Sequence, residues 1–264
     1  MSFFELSHKF SIPSTESFQL HSHNNYEIVY FFQGDVDYVV EGAVYPLSPH
    51  DMILVRPFEM HRAFHKTNKL YERTVINIER SFFEKYNCEA YADIFNRRSG
   101  GTKNIIYSSA VKKSGIDDCF KRLSEYTNDF SNTNTPVSAA VLTEILYLLN
   151  DIDASGSPTV NRVQQVISYI NSHFTEDITL SSLAARFFIS GAHLARIFKS
   201  ATGYTVSEYV NIKRLTNAVL LYKNGVSWGS AADSCGFKDY VSFYRAFCRR
   251  FSCSPRDYFQ NAAR

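Results

Sequence analysis

Five cysteines, an odd number without a Cys-x-x-Cys pair, give the chain neither a complete disulfide frame nor zinc-finger spacing. No run of some eighteen apolar residues is present, and no charged-then-apolar leader opens the sequence, so neither a membrane-spanning helix nor export is expected and the expected location is the cytoplasm. Gly-rich phosphate loops and Gly-x-Ser-x-Gly elbows are also missing, which removes nucleotide hydrolysis and acyl transfer from consideration. What is there is a chain of 264 residues, 45% hydrophobic, long enough to bury two cores. Its net charge of +2 hides an asymmetry: residues 158–264 hold 13 Lys+Arg against 6 Asp+Glu, a net of +7, whereas residues 1–157 sum to −5. A basic half is thus joined to an acidic one. The excess suits contact with phosphates, or it is a solvated helical surface.

The basic half carries one pattern twice. Leu183, Ala184 and Ile189 recur as Ala231, Ala232 and Phe237 at an offset of 48, and Leu194, Arg196 and Phe198 recur as Phe243, Arg245 and Phe247 at 49. Each copy reads as a short helix, a tight turn and a second helix, with apolar residues at helical spacing and Arg or polar residues outside the apolar stripe. The second copy has one extra residue in its turn. Between the copies, Ser207 to Tyr222 predicts a connecting helix that Gly225 stops. Joined this way, the two second helices could enter successive major-groove segments about 34 Å apart.

These residues resemble the DNA-binding domain of AraC/XylS-type bacterial transcription regulators. The resemblance spans Val160 to Phe259 and is carried by Leu180, Leu183, Ala184, His193, Leu194, Arg196, Phe198, Lys199, Gly203, Tyr209, Arg214, Leu215, Ala218, Leu221, Gly236, Phe237, Phe243, Arg245, Phe247, Ser254 and Pro255. It implies base readout by Ala192, Ala195 and Arg196 in the first unit and by Val241, Ser242 and Arg245 in the second. Both Arg residues can make the bidentate contact to guanine, and Ala or Val can touch a thymine methyl. Ser190, His193, Lys199, Lys238, Tyr240 and Arg249 would then contact phosphates and set register. For Arg196 the alternative is an ion pair with Asp177, and for Tyr240 it is packing at the helix start. The chain departs from the family pattern at Phe188, where a small residue or Gly is usual, and at Ser230, Cys248, Ser252 and Phe259. The Ile and Lys lost at Ser230 and Cys248 make the second unit the weaker one.

In the acidic half, Phe18 to His65 alternates apolar and polar residues in short runs broken by Gly34, Gly42, Pro46 and Pro49, which suggests a small antiparallel barrel. Within it, His21, His23, Glu27 and Gly34, followed by Pro57 and His61, are spaced like the two motifs of the cupin barrel; His50 stands where the second motif often has Gly. On a strand, His21, His23 and Glu27 would share one face by even spacing. With His61 they offer three imidazoles and a carboxylate, a set that suits a divalent metal such as Zn, Mn, Fe, Ni or Cu, or else a polar pocket that takes an organic ligand directly. The rings of Tyr26, Tyr30, Phe32, Tyr38 and Phe64 either stack on a ligand, a sugar being one class, or fill the barrel.

Two apolar helical stripes follow, one through Ile116, Phe120, Leu123, Tyr126 and Phe130, the other from Val137 to Ile152. They predict an antiparallel helical hairpin that either forms a homodimer contact or caps the barrel. The expected fold is therefore α+β: a cupin-like barrel over residues 1–107, the hairpin over 108–153, a linker over 154–159, and an all-α domain over 160–264 with two helix-turn-helix units on a connecting helix. The expected function is a transcription regulator, by resemblance usually an activator, that binds promoter DNA, a small-molecule effector and RNA polymerase. A cupin metalloenzyme with a helical appendage and a regulator without a ligand are the alternatives.

Overall fold

The computed structural model describes residues 3–12, 20–98, 101–126, 135–152 and 162–258. The chain divides into two compact units, Met1–Val160 and Asn161–Arg264. The expected linker at 154–159, Phe18, Phe130 and Phe259 lie outside the described residues.

The first unit opens with strands β1 (Phe4–Ser11), β2 (Tyr26–Gln33), β3 (Val36–Val40), β4 (Ala43–Pro46), β5 (Met52–Val55), β6 (His61–His65) and β7 (Tyr71–Ile78). Helix α1 (Arg80–Lys85), a 3₁₀ turn at Glu89–Ala92, α2 (Asp93–Asn96), β8 (Ile105–Ile106), α3 (Ser108–Ser114), α4 (Ile116–Tyr126) and α5 (Pro136–Asp151) complete it. Among the described residues the strands form two antiparallel sheets, β1-β7-β2-β5-β8 and β4-β3-β6, and no closed ring of hydrogen bonds. Val29, Phe31, Ile53 and Val75 from the larger sheet meet Val36, Tyr38, Val40 and Tyr45 from the smaller one in a filled interior.

The period of two along β2 sorts its side chains between two destinations. Val29 and Phe31 join that interior, while Tyr26, Ile28 and Tyr30 turn to the opposite face and pack under the helices. Sequence periodicity over 108–153 predicts two helices, but the structure has three. Gly115 at φ 78° supplies the left-handed residue that ends α3 before α4 begins. The apolar stripe of the hairpin is used within the chain: Ile116, Phe120, Leu123, Leu142, Ile145 and Leu149 are buried against the outer face of the larger sheet. That is the capping role. The apolar side chains left exposed there are few, with Val137 and Tyr147 the main ones on α5.

Among its described residues the second unit is helical: α6 (Arg162–His173), α7 (Leu180–Arg186), α8 (Gly191–Thr202), α9 (Val206–Lys223), α10 (Trp228–Ser234) and α11 (Tyr240–Phe251). Five of these start on a side-chain cap, namely Thr179, Ser190, Thr205, Ser227 and Asp239, each accepting from the backbone N–H three residues on. Thr179 and Thr205 complete capping boxes with Ser182 and Glu208. Leu194, Phe198, Phe243 and Phe247 are fully buried, each contributing about 1.5–3 kcal/mol of transfer free energy that holds the helix pairs together. The predicted connecting helix is α9, one residue longer at each end than its apolar pattern suggests.

Candidate functional site

In the first unit, His21, His23 and His61 bring their ligand-capable nitrogens within 4.8 Å of one another. The backbone makes this meeting. His21 and His61 exchange N–H···O bonds of 3.1 and 2.9 Å, an isolated antiparallel bridge that ties the segment before β2 to the start of β6. His21, His23 and Glu27 thus do not share one strand, as their even spacing suggests, because β2 begins only at Tyr26. Glu27 comes from β2 instead and reaches His23 Nε2 at 3.1 Å and His61 Nε2 at 3.6 Å.

The protonation pattern suits ligation. His61 Nδ1 donates to the Glu59 carbonyl at 2.8 Å, which leaves Nε2 as the lone pair, buried and without a hydrogen bond. Burial pushes His61 down to about 4, so it is neutral at pH 7. Burial alone would raise the Glu27 carboxyl, but His61, His23 and the Tyr38 hydroxyl at 3.0 Å outweigh it and hold the group below the usual carboxylate range. A neutral imidazole with a free lone pair beside an ionised carboxylate is the donor set that a divalent cation of the first transition row accepts.

His61 owes its position to a network that its motif does not reveal. Glu59 is buried and receives Arg98 in a bidentate pair at 3.0 and 3.1 Å, the Arg56 N–H at 3.0 Å and the Asn104 amide at 3.2 Å. Glu41 holds the Met60 N–H at 2.8 Å. The loop between β5 and β6 is thereby clamped on both sides of the Glu59 carbonyl that orients the imidazole. Glu59 was visible only as one of the three residues between Pro57 and His61, and nothing local pointed to Arg98 or Asn104 as its partners.

The aromatic residues expected to line one pocket separate. Tyr38 stacks near His61 with ring centroids 6.3 Å apart, whereas Tyr26 packs on Phe83 and Phe95 under the helices. Tyr30 and Phe32 face a cavity on the outer side of the larger sheet, and Phe64 is exposed.

In the second unit, the starts of α8 and α11 present the expected DNA-reading residues at the surface. Ala192, His193, Arg196 and Lys199 are exposed on α8, as are Tyr240, Val241, Ser242, Arg245 and Arg249 on α11, with Lys238 just before it; Ala195 is half-buried. Among the described residues Arg196 forms no ion pair. Its guanidinium donates instead to His193 Nδ1 at 3.2 Å, and the Asp177 charge acts on Arg214. Arg214 donates to the Phe174 and Glu176 carbonyls at 2.7 and 2.6 Å, which fixes the loop ahead of α7. The Ser190 hydroxyl is the cap of α8, and the Asp239 carboxylate caps α11 and is held below its usual range by the Ser242 N–H. Tyr240 packs on Phe243 at 5.5 Å, the alternative the sequence leaves open for it, and remains 46% exposed.

Comparison with known proteins bears on both units. An AraC-like ligand-binding domain matches residues 6–109, and a helix-turn-helix domain matches residues 183–261. The chain is similar to the HTH-type transcriptional activator RhaS of Citrobacter koseri, 27% identical over 249 residues that cover 91% of this chain and 87% of RhaS. It is also similar to the HTH-type transcriptional activator RhaR of Mannheimia succiniciproducens, at 21% over 245 residues with the same coverage. Among solved structures, ToxT of Vibrio cholerae O395 overlaps 98% of this chain and 99% of its own at 16% identity and a TM-score of 0.41, too loose a likeness to argue from. Among the described residues, no helix is long and apolar enough to cross a membrane.

Proposed function

The chain belongs to the AraC-type regulators with an N-terminal sensor domain, and on that premise we propose that it activates transcription at promoters bound through both helix-turn-helix units, under control of a small molecule held by the first unit. The observation that carries this reading is the pair of capped helix starts, α8 and α11, each with an exposed Arg one turn in and a buried Leu or Phe holding it to the unit. Arg196 and Arg245 are the direct readers, with Ala192, Ala195, Val241 and Ser242 as the apolar and small contacts beside them. His193, Lys199, Lys238, Tyr240 and Arg249 take phosphates; Ser190 contributes through its cap, which aims the N-terminal amides of α8. The Asp239 carboxylate occupies the same place on α11, so phosphate contact there falls to its neighbours Lys238 and Tyr240. RNA polymerase is the further partner that activation requires, and a homodimer through the hairpin has Val137 and Tyr147 to use.

The effector acts by preferring one of two states of the chain, since a ligand with equal affinity for both shifts nothing. Readout is tested by substitution. Arg196→Ala is expected to weaken a specific site by about 1–3 kcal/mol and to relax preference at one base pair, whereas Lys199→Ala weakens all sequences alike and lowers the salt slope by about one unit. Equal losses for Arg196→Ala on specific and random DNA would refute its assignment.

His21, His23, Glu27 and His61 are the residues that would hold a divalent metal, and a bound ion would supply a fixed positive charge and an open ligand position for an effector oxygen. Cobalt titrated into the full-length protein should give d–d absorption that saturates at one equivalent. The His21→Ala, His23→Ala double variant should lose at least about 100-fold in cobalt affinity without change in DNA binding. An unchanged spectrum in that variant would move the metal elsewhere.

A further inference from the structure

The imidazole of His193 and the guanidinium of Arg196 meet on the exposed face of α8, with Arg196 Nη2 and His193 Nδ1 3.2 Å apart. Arginine carries only donors, so the imidazole nitrogen is the acceptor. That fixes the tautomer: Nδ1 bears the lone pair and the proton sits on Nε2. A neutral ring thus receives one of the five guanidinium N–H groups and leaves four, of which a guanine needs two.

The pair draws the guanidinium toward the DNA side of the helix. Helical side chains lean toward the helix start, which is the end that meets base edges in helix-turn-helix units. One turn toward that end, the surface neighbours of Arg196 are Ala192 and His193, and only the imidazole offers a side-chain acceptor. One turn the other way stands Lys199, whose charge repels the guanidinium. The backbone of His193 is itself set, because its N–H bonds the Ser190 cap at 3.3 Å and the adjacent Leu194 is fully buried.

The second unit is built otherwise. Ser242 takes the matching place at the offset of 49, and both its N–H and its hydroxyl bond the Asp239 carboxylate, which also interacts with the charge of Arg245. A carboxylate beside an arginine offsets part of the positive charge that a phosphate or a guanine attracts. The neutral imidazole holds Arg196 without that loss.

We propose that His193 is a positioning residue for base readout: its Nδ1 holds the Arg196 guanidinium oriented for guanine, while its Nε2–H serves the phosphate. The proposal rests on the regulator reading and makes the first unit the more discriminating of the two, by a device that the second lacks. An arginine ordered before binding is spared the loss of side-chain freedom that a free one suffers on contact. This raises affinity for the matching base about three- to tenfold and adds nothing at a mismatched one.

Selection of DNA duplexes randomised across two helical turns by the full-length protein, followed by sequencing of the bound fraction, gives the base preference at every position and tests the assignment. Arg196→Ala marks the base pair that Arg196 reads. His193→Phe keeps a ring without an acceptor, and His193→Lys keeps a phosphate donor without one. Both should lower discrimination at that pair about three- to tenfold and leave the positions read by the second unit unchanged, which also shows that the variants are folded. His193→Asn, whose Oδ1 stands where Nδ1 does, should keep the discrimination of the parent. Full discrimination in His193→Lys would reduce the residue to a phosphate contact, and full discrimination in His193→Phe would reduce it to packing. Either result overturns the proposal, as does a loss in His193→Asn equal to that in His193→Phe. A parent protein that enriches no motif at all would instead overturn the regulator reading, and the role of His193 with it.

Discussion

Gly236→Ala should abolish specific DNA binding by unfolding the second helix-turn-helix unit, at a cost of about 3 kcal/mol or more. Gly236 sits in the turn between α10 and α11 at φ 83°, and a Cβ built there falls 2.2 Å from the Thr175 carbonyl oxygen and 2.7 Å from its Cα. That overlap is with backbone, so no rotamer change relieves it. The segment it meets is the loop that Arg214 fixes through Phe174 and Glu176, and shifting it would break those bonds as well. For a unit of about a hundred residues the loss corresponds to a fall in Tm of roughly 12 °C or more, read by calorimetry as a shift confined to one transition. The matching position of the first unit behaves oppositely. Phe188 adopts φ 53° with its ring 92% exposed, so it bears the left-handed strain without packing in return, and Phe188→Gly should stabilise by about 0.5–1 kcal/mol. A Tm unchanged in Gly236→Ala would show that the turn adapts and that the two copies are not held by the same geometry.

Glu59→Ala should cost the first unit about 3–5 kcal/mol, because it leaves the Arg98 guanidinium buried without its counter-ion. Arg98 is only 3% exposed, and its other described bond, to the Leu54 carbonyl at 3.0 Å, is no substitute for a bidentate carboxylate. Arg56 and Asn104 lose the same acceptor. The substitution also frees the loop whose Glu59 carbonyl holds His61 Nδ1, so cobalt affinity should fall by about 10–100-fold in whatever fraction remains folded. The double variant Glu59→Leu, Arg98→Met, which removes both charges together, should recover much of the stability but not the cobalt affinity. Recovery of both would mean that the network stabilises the unit without orienting the imidazole.

The helical half was legible because its signals are local. Apolar spacing and a repeated pattern lie within a few turns of the elements they specify, and α8, α9 and α11 stand where that pattern puts them. One departure from the family pattern also carried meaning: Phe188, where a small residue or Gly is usual, keeps the left-handed backbone. The first half was legible in class but not in detail. The sequence pattern between Phe18 and His65 identified its central strands, whereas β1 and β7 went unnoticed, since β1 pairs only with β7 and that pairing spans some sixty residues of chain. The histidine cluster was found for a partly wrong reason, a shared strand where the chain in fact makes an isolated bridge. The Glu59–Arg98–Asn104 network and the Tyr30–Asp117 bond join residues 39 to 87 positions apart, and no periodicity encodes such pairs.

The central claim is sequence-specific recognition of DNA by two linked helix-turn-helix units. Purified full-length protein incubated with sheared genomic DNA from its source at moderate salt, followed by sequencing of the retained fragments, tests it most directly. The account predicts a small set of fragments near promoters that share a motif of two boxes spaced about one helical turn, 10–10.5 base pairs, centre to centre. Retention of every fragment alike, or of none, would contradict it.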